Sequence, residues 1–133
     1  MPVVDASVWV AHFVADDAFH NKSRKWLEKA LEDGEDIFFP VVALAEVASA
    51  ITRVTRDEKL ALTTVTAMLS GLYSAIPIDD NLGLKSAKVA TQCRLRGFDA
   101  IYAALAQSFD QTLITLDKEL AERASSIVKT LIP

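Results

Sequence analysis

Arg96-Gly97-Phe98-Asp99-Ala100-Ile101-Tyr102-Ala103-Ala104-Leu105-Ala106 is a long apolar run that contains one carboxylate. Asp99 is the only charge between Phe98 and Ser108. The run reads as a helix over Ala100 to Ser108 with Asp99 at its start, and Gly97 reads as the stop of the preceding helix. That preceding helix ends near Arg96, and Asp79, Asp80 and Asn81 offer caps for its start. Before it, Ala75 to Ile78 reads as a strand. Downstream, Thr112 to Thr115 is another strand, a short helix follows Asp117, and Val128 to Leu131 is a marginal last strand.

The N-terminal half alternates in the same way. Val3-Val4 is a first strand that stops at Asp5. Asp16 or Asp17 can cap a helix reaching Glu32, whose apolar stripe is Phe19, Trp26, Leu27, Ala30 and Leu31. Gly34 supplies its stop. Asp36 to Phe39 is a second strand, and Pro40 suits the first turn of a helix running to about Val54. Thr55 and Glu58 form a capping box for the next helix, which carries Leu60, Thr64, Met68 and Leu72. Short apolar strands alternating with amphipathic helices predict an α/β fold: a central parallel sheet of four to five short strands with helices on both faces. In such sheets the site lies at the carboxyl ends of the strands. Asp5 and Asp117 fall there.

At 133 residues the chain suits one domain, 1–133. Hydrophobic residues make up 51%, and the mean hydropathy is +0.24, so part of the surface is expected to face a partner subunit. A net charge of −4 argues against passive electrostatic binding to nucleic acid. It does not exclude a nuclease, because bound metal offsets a carboxylate cluster. The single cysteine, Cys93, rules out an intramolecular disulfide and fits a reducing compartment, the cytoplasm. Met1 to Val14 lacks the basic start of a signal peptide, and no stretch nears the ~18 apolar residues of a membrane span.

The isolated carboxylates carry the chemistry. Glu46 is the only charge from Ile37 to Ile51, and Asp5 the only one between Met1 and Ala11. A lone carboxylate in apolar surroundings costs several kcal/mol unless it meets a cation, a proton or water. Oxygen ligands without histidine or thiolate favour Mg²⁺ or Mn²⁺ over zinc. Such ions activate water for in-line attack on a phosphoryl group. Ser7 and Thr115 each lie two residues from an acid, where a hydroxyl can orient a carboxylate or a metal-bound water. Blander readings stand beside these: Asp99 and Asp117 as helix caps, Asp5 as a turn residue, Glu46 on a solvent-facing helix side.

Four segments extend this reading. Val3-Val4-Asp5-Ala6-Ser7-Val8 resembles the opening strand motif of PIN domains. Pro40 through Ala45-Glu46-Val47 resembles their second segment. The run from Arg96 to Ala106 is very similar to their third, and Leu113-Ile114-Thr115-Leu116-Asp117-Lys118-Glu119-Leu120 to their fourth. The order is right and the whole chain is covered. The compact length resembles VapC, the toxins of VapBC toxin–antitoxin pairs. The resemblance implies a PIN fold, a homodimer, and endoribonuclease activity that needs Mg²⁺ or Mn²⁺, one or two ions per subunit. It implies a VapB-type antitoxin that occludes the site. It also makes Asp5, Glu46, Asp99 and Asp117 the catalytic, metal-binding acids, with Ser7 and Thr115 as accessory hydroxyls. Arg94, Arg96 and Lys118, close in sequence to the acid motifs, are the best phosphate-contacting cations.

Other residues fit quieter roles. His12 and His20 lie outside the acid motifs, Cys93 reads as a packing residue, and Trp9 and Trp26 as core or interface. Competing functions are weaker. A phosphatase with an aspartate nucleophile at Asp5 wants a second aspartate where Ser7 stands, and a phospho-receiver wants adjacent acids and a late lysine. A PIN nuclease without a toxin role and a non-enzymatic metal-binding module remain alternatives.

Overall fold

The computed structural model describes residues 1–133. The elements in order are β1 (Val3–Val4), α1 (Ala6–Phe13), α2 (His20–Glu32), β2 (Ile37–Pro40), α3 (Ala43–Thr55), α4 (Glu58–Met68), β3 (Tyr73–Ile76), α5 (Asp80–Cys93), α6 (Gly97–Ser108), β4 (Leu113–Ile114), α7 (Lys118–Ala124) and β5 (Thr130–Leu131). All four strand pairings are parallel, in the order β3-β2-β1-β4-β5. The α/β expectation holds, with the upper strand number.

The sheet is thin in sequence and thick in core. Its central strand, β1, is two residues long and fully buried, pairing Val3 with Phe38 on one side and with Leu113 on the other. Side chains from the helices complete the interior: Trp9, Leu27, Ile51, Met68, Tyr102 and Leu120 are among the largest that water does not reach. Burying such side chains contributes roughly 1.5–3 kcal/mol each. The Trp9 indole donates to Val4 O at 3.2 Å and meets Phe39 and Tyr73 edge-on, at ring separations of 5.6 and 4.7 Å.

Several boundaries differ from the sequence reading. Helix α1 starts one residue after β1 and is an element the sequence pattern does not announce. Asp5 caps it, accepting from the Ser7 amide. Helix α2 begins at His20 rather than beside Asp16 or Asp17, because Asp17 instead closes a turn by accepting from Phe19 N at 2.8 Å. Phe19 consequently stays outside the helical stripe, largely exposed. Pro40 ends β2, opposite Ile76, instead of opening a helix. A proline needs no ladder donor at a strand end, and it holds the preceding residue extended.

The cap of α4 is Asp57, which accepts from Leu60 N at 2.9 Å. Thr55 donates back to Ile51 O, so the expected capping box does not form. Leu72 falls beyond that helix, exposed. Strand β3 lies two residues earlier than expected. Asp79 does cap α5, but Arg94, not Gly97, terminates it in the left-handed conformation at φ 54°. Leu95 then packs against the core, which turns the chain early. Gly97 becomes the first residue of α6, and Asp99 sits inside its first turn rather than at its cap.

Candidate functional site

The strand order reverses at β1. Successive strands β1, β2 and β3 build outward on one side, and the chain then crosses to place β4 on the other. The gap beyond the carboxyl ends of β1 and β4 is therefore the switch point at which open parallel sheets hold their ligands. Asp5 follows β1, and Thr115 and Asp117 follow β4.

Asp5 is nearly inaccessible at 6% exposure. Its Oδ2 accepts from Ser7 Oγ at 2.6 Å and from Thr115 Oγ1 at 2.8 Å. Ser7 Oγ in turn accepts from Leu116 N at 3.0 Å, and Thr115 Oγ1 from Asp117 N at 3.0 Å. The two accessory hydroxyls thus bind the Asp5 carboxylate to the backbone leaving β4. Burial raises the Asp5 pKa, and the hydrogen bonds from Ser7 and Thr115 and the amides of Ser7 and Ala6 oppose that rise.

Glu46 reaches the same region from α3, half-buried. Its Oε1 accepts from the Tyr102 hydroxyl at 2.7 Å. Its pKa is also raised: by burial first, with the Tyr102 hydrogen bond opposing and the charges of Asp5 and Asp99 adding. Asp99 stands in the first turn of α6. It is pushed up to about 6 by burial, then by the charges of Asp5 and Asp117, with Arg96 pulling the other way and Glu119 adding a little. The charges of the acids therefore act on one another: Asp5 and Asp99 on Glu46, and Asp5 and Asp117 on Asp99. Asp117 is the outermost. Its Oδ1 caps α7 through Glu119 N at 2.9 Å and Leu120 N at 3.1 Å, so the cap role is real.

As the side chains stand, no three acids close into a metal cage. The chemistry of the donor set still suits a hard divalent cation. Every candidate is a carboxylate oxygen, and burial first, with neighbouring carboxylates adding at Glu46 and Asp99, raises the pKa values, a penalty on the charged forms that a bound cation would relieve. A roomy concavity lies elsewhere, by Lys25, Trp26, Lys29, Gln111, Thr112 and Leu131, and the acids do not line it.

The basic candidates divide. Arg96 caps α6 and is electrostatically coupled to Asp99. Arg94 and Lys118 are exposed and have no ion pair with an acid. His20 is turned to Ala11 O, and His12 against Phe13, away from the acids. Sequence reading missed Tyr102. Its signal was available: it is the one polar side chain from Ala100 to Ala106, three residues after Asp99 and so on the same helix face.

A family model, the PIN domain, matches residues 3–125. The chain is a PIN-domain protein. No curated protein matches it in sequence. Among solved structures, this PIN domain is similar to the Mycobacterium tuberculosis toxin VapC20, which cleaves the sarcin-ricin loop. The TM-score is 0.79 at 17% identity, covering 97% of this chain and 98% of that one. It is similar also to VapBC2 of Rickettsia felis, solved on a DNA fragment from its promoter (TM-score 0.77, 12% identity, 98% and 97% covered). FitAcB of Neisseria gonorrhoeae gives a TM-score of 0.74 at 16% identity, with 98% and 96% covered. At these identities the likeness is one of fold. No helix of the PIN domain is long and apolar enough to cross a membrane.

Proposed function

We propose that this PIN domain is an endoribonuclease dependent on Mg²⁺ or Mn²⁺ and the toxin half of a VapBC-type pair. The observation that supports the reading is that Asp5 and Asp117 follow the two strands flanking the switch point, while burial and the charges of Asp5 and Asp117 push the pKa of Asp99 up to about 6. These carboxylates would hold one or two divalent ions, with Asp5 and Glu46 already fixed by hydrogen bonds. When bound, such ions supply Lewis-acid activation of water and neutralise charge on the phosphoryl group.

The chain's own residues do the rest. Asp5 is held in place by Ser7 and Thr115. Water attacks phosphorus in line, the P–O3′ bond breaks, and the products carry a 5′-phosphate and a 3′-hydroxyl. Arg96, beside Asp99, contacts the substrate phosphate, with Arg94 and Lys118 as outer contacts. An antitoxin partner is supported by the fold likeness to members of toxin–antitoxin complexes. Exposed Val54, Leu62, Leu69, Leu72, Leu84 and Phe98 give apolar surface for that partner and for a second copy of the chain.

The test is cleavage of end-labelled transfer, ribosomal and messenger RNA with Mg²⁺, Mn²⁺ or EDTA, using wild type, Asp5→Asn and Asp99→Asn. Metal-dependent cutting by wild type alone supports the reading. Cutting that survives EDTA or either substitution overturns it.

A further inference from the structure

Tyr102 is wholly buried, yet its hydroxyl does not face the core. It donates to Glu46 Oε1 at 2.7 Å, joining α6 to α3 across the site. A phenol buried this deeply needs a polar partner. The choice of partner is informative. An ionised carboxylate only accepts, so the hydroxyl has to be the donor, and the bond fixes which Glu46 oxygen is engaged. Oε2 has no hydrogen bond of its own and is left for a further ligand. The bond also runs between the two helices that carry acids: Tyr102 lies one helical turn after Asp99, and α3 supplies Glu46.

Extending the metal-site reading above, we propose that Tyr102 is a positioning residue that holds Glu46 in the orientation needed to ligate a divalent ion and sets the spacing of Glu46 from Asp99. Partners of this kind orient metal ligands, and their loss weakens metal affinity or activity by roughly 10–100-fold. A tyrosine serving only to fill the core would show its ring in stability and nothing in metal binding.

The experiment measures Mn²⁺ affinity by calorimetry and by the loss of the free-ion electron paramagnetic resonance signal. The proteins are wild type, Tyr102→Phe, Asp99→Asn and Ile51→Val. Ile51→Val loosens the same buried core on α3 without touching Glu46. Tyr102→Phe is expected to raise the Kd for Mn²⁺ about tenfold or more while its metal-free form stays folded by circular dichroism. Ile51→Val is expected to lower the Tm and leave the Kd unchanged. On RNA, Tyr102→Phe should lower kcat at saturating RNA with KM unchanged. If Tyr102→Phe binds Mn²⁺ as wild type does, or Ile51→Val weakens binding equally, the positioning role is wrong and the metal reading stands. If wild type itself binds no Mn²⁺, both fall.

Discussion

Thr115 Oγ1 donates to Asp5 Oδ2 at 2.8 Å, across 110 residues of sequence, and so ties the end of β4 to the end of β1. The same oxygen accepts from the Asp117 amide at 3.0 Å. Thr115→Val keeps the shape and removes both bonds. It should destabilise the protein by about 1–3 kcal/mol, the cost of stranding buried polar groups. Thr115→Ser should restore most of it. Chemical denaturation of the two variants checks this.

Asp99 provides a pH prediction. Its folded pKa, about 6, lies above the ordinary 3.8, so the folded state binds this proton more tightly than the unfolded state. The contribution of this group to stability is therefore present at low pH and is lost as pH rises through about 6. Metal-free protein should lose this increment between pH 4 and 7, and added Mn²⁺ should restore stability at the upper end. Asp99→Asn should flatten the profile and raise the metal-free Tm by a few degrees at pH 8. Melting curves across pH, with and without Mn²⁺, decide it. A wild-type profile identical to that of Asp99→Asn refutes the shift.

Asp117 has two roles that substitution can separate. Asparagine caps helices about as well as aspartate, whereas alanine does not. Asp117→Asn should keep the stability of α7 and lose RNA cleavage. Asp117→Ala should lose cleavage and a further ~1 kcal/mol of stability. If Asp117→Asn retains full activity, Asp117 is a cap alone.

Replacing Arg94, Arg96 and Lys118 together by alanine should weaken RNA binding. The slope of log affinity against log salt should become shallower by roughly 0.7 for each phosphate no longer neutralised. Arg96, coupled to Asp99, should account for most of the effect. Filter binding over a salt series measures it, and unchanged affinity in the triple variant rules out a phosphate-binding role for these cations.

Cleavage chemistry is read at the ends. Products of wild type should be ligatable through a 5′-phosphate without kinase treatment. Cyclic 2′,3′-phosphate ends would exclude attack by water and with it the metal-ion route.

The sequence by itself determined the alternation of strands and helices, and it singled out Asp5, Glu46, Asp99 and Asp117. Local chemistry is enough for that: a lone carboxylate in an apolar stretch is costly and therefore conspicuous. Helix bounds were legible where caps and periodicity agree, as at Asp79 and Asp117. They failed where a nearby turn competed for the same group, as at Asp17 and Thr55. Helix α1 is hidden in the sequence because it opens one residue after a two-residue strand, too short to show any alternation.

Only the tertiary structure decided the order β3-β2-β1-β4-β5, and with it the placing of β1 beside β4 at the switch point. Strand order follows from pairing between distant segments, about which a two-residue strand says nothing. The same holds for Tyr102 and Glu46, 56 residues apart. Their hydrogen bond exists because the fold brings α3 and α6 together, and the buried phenol satisfies its hydroxyl at Glu46.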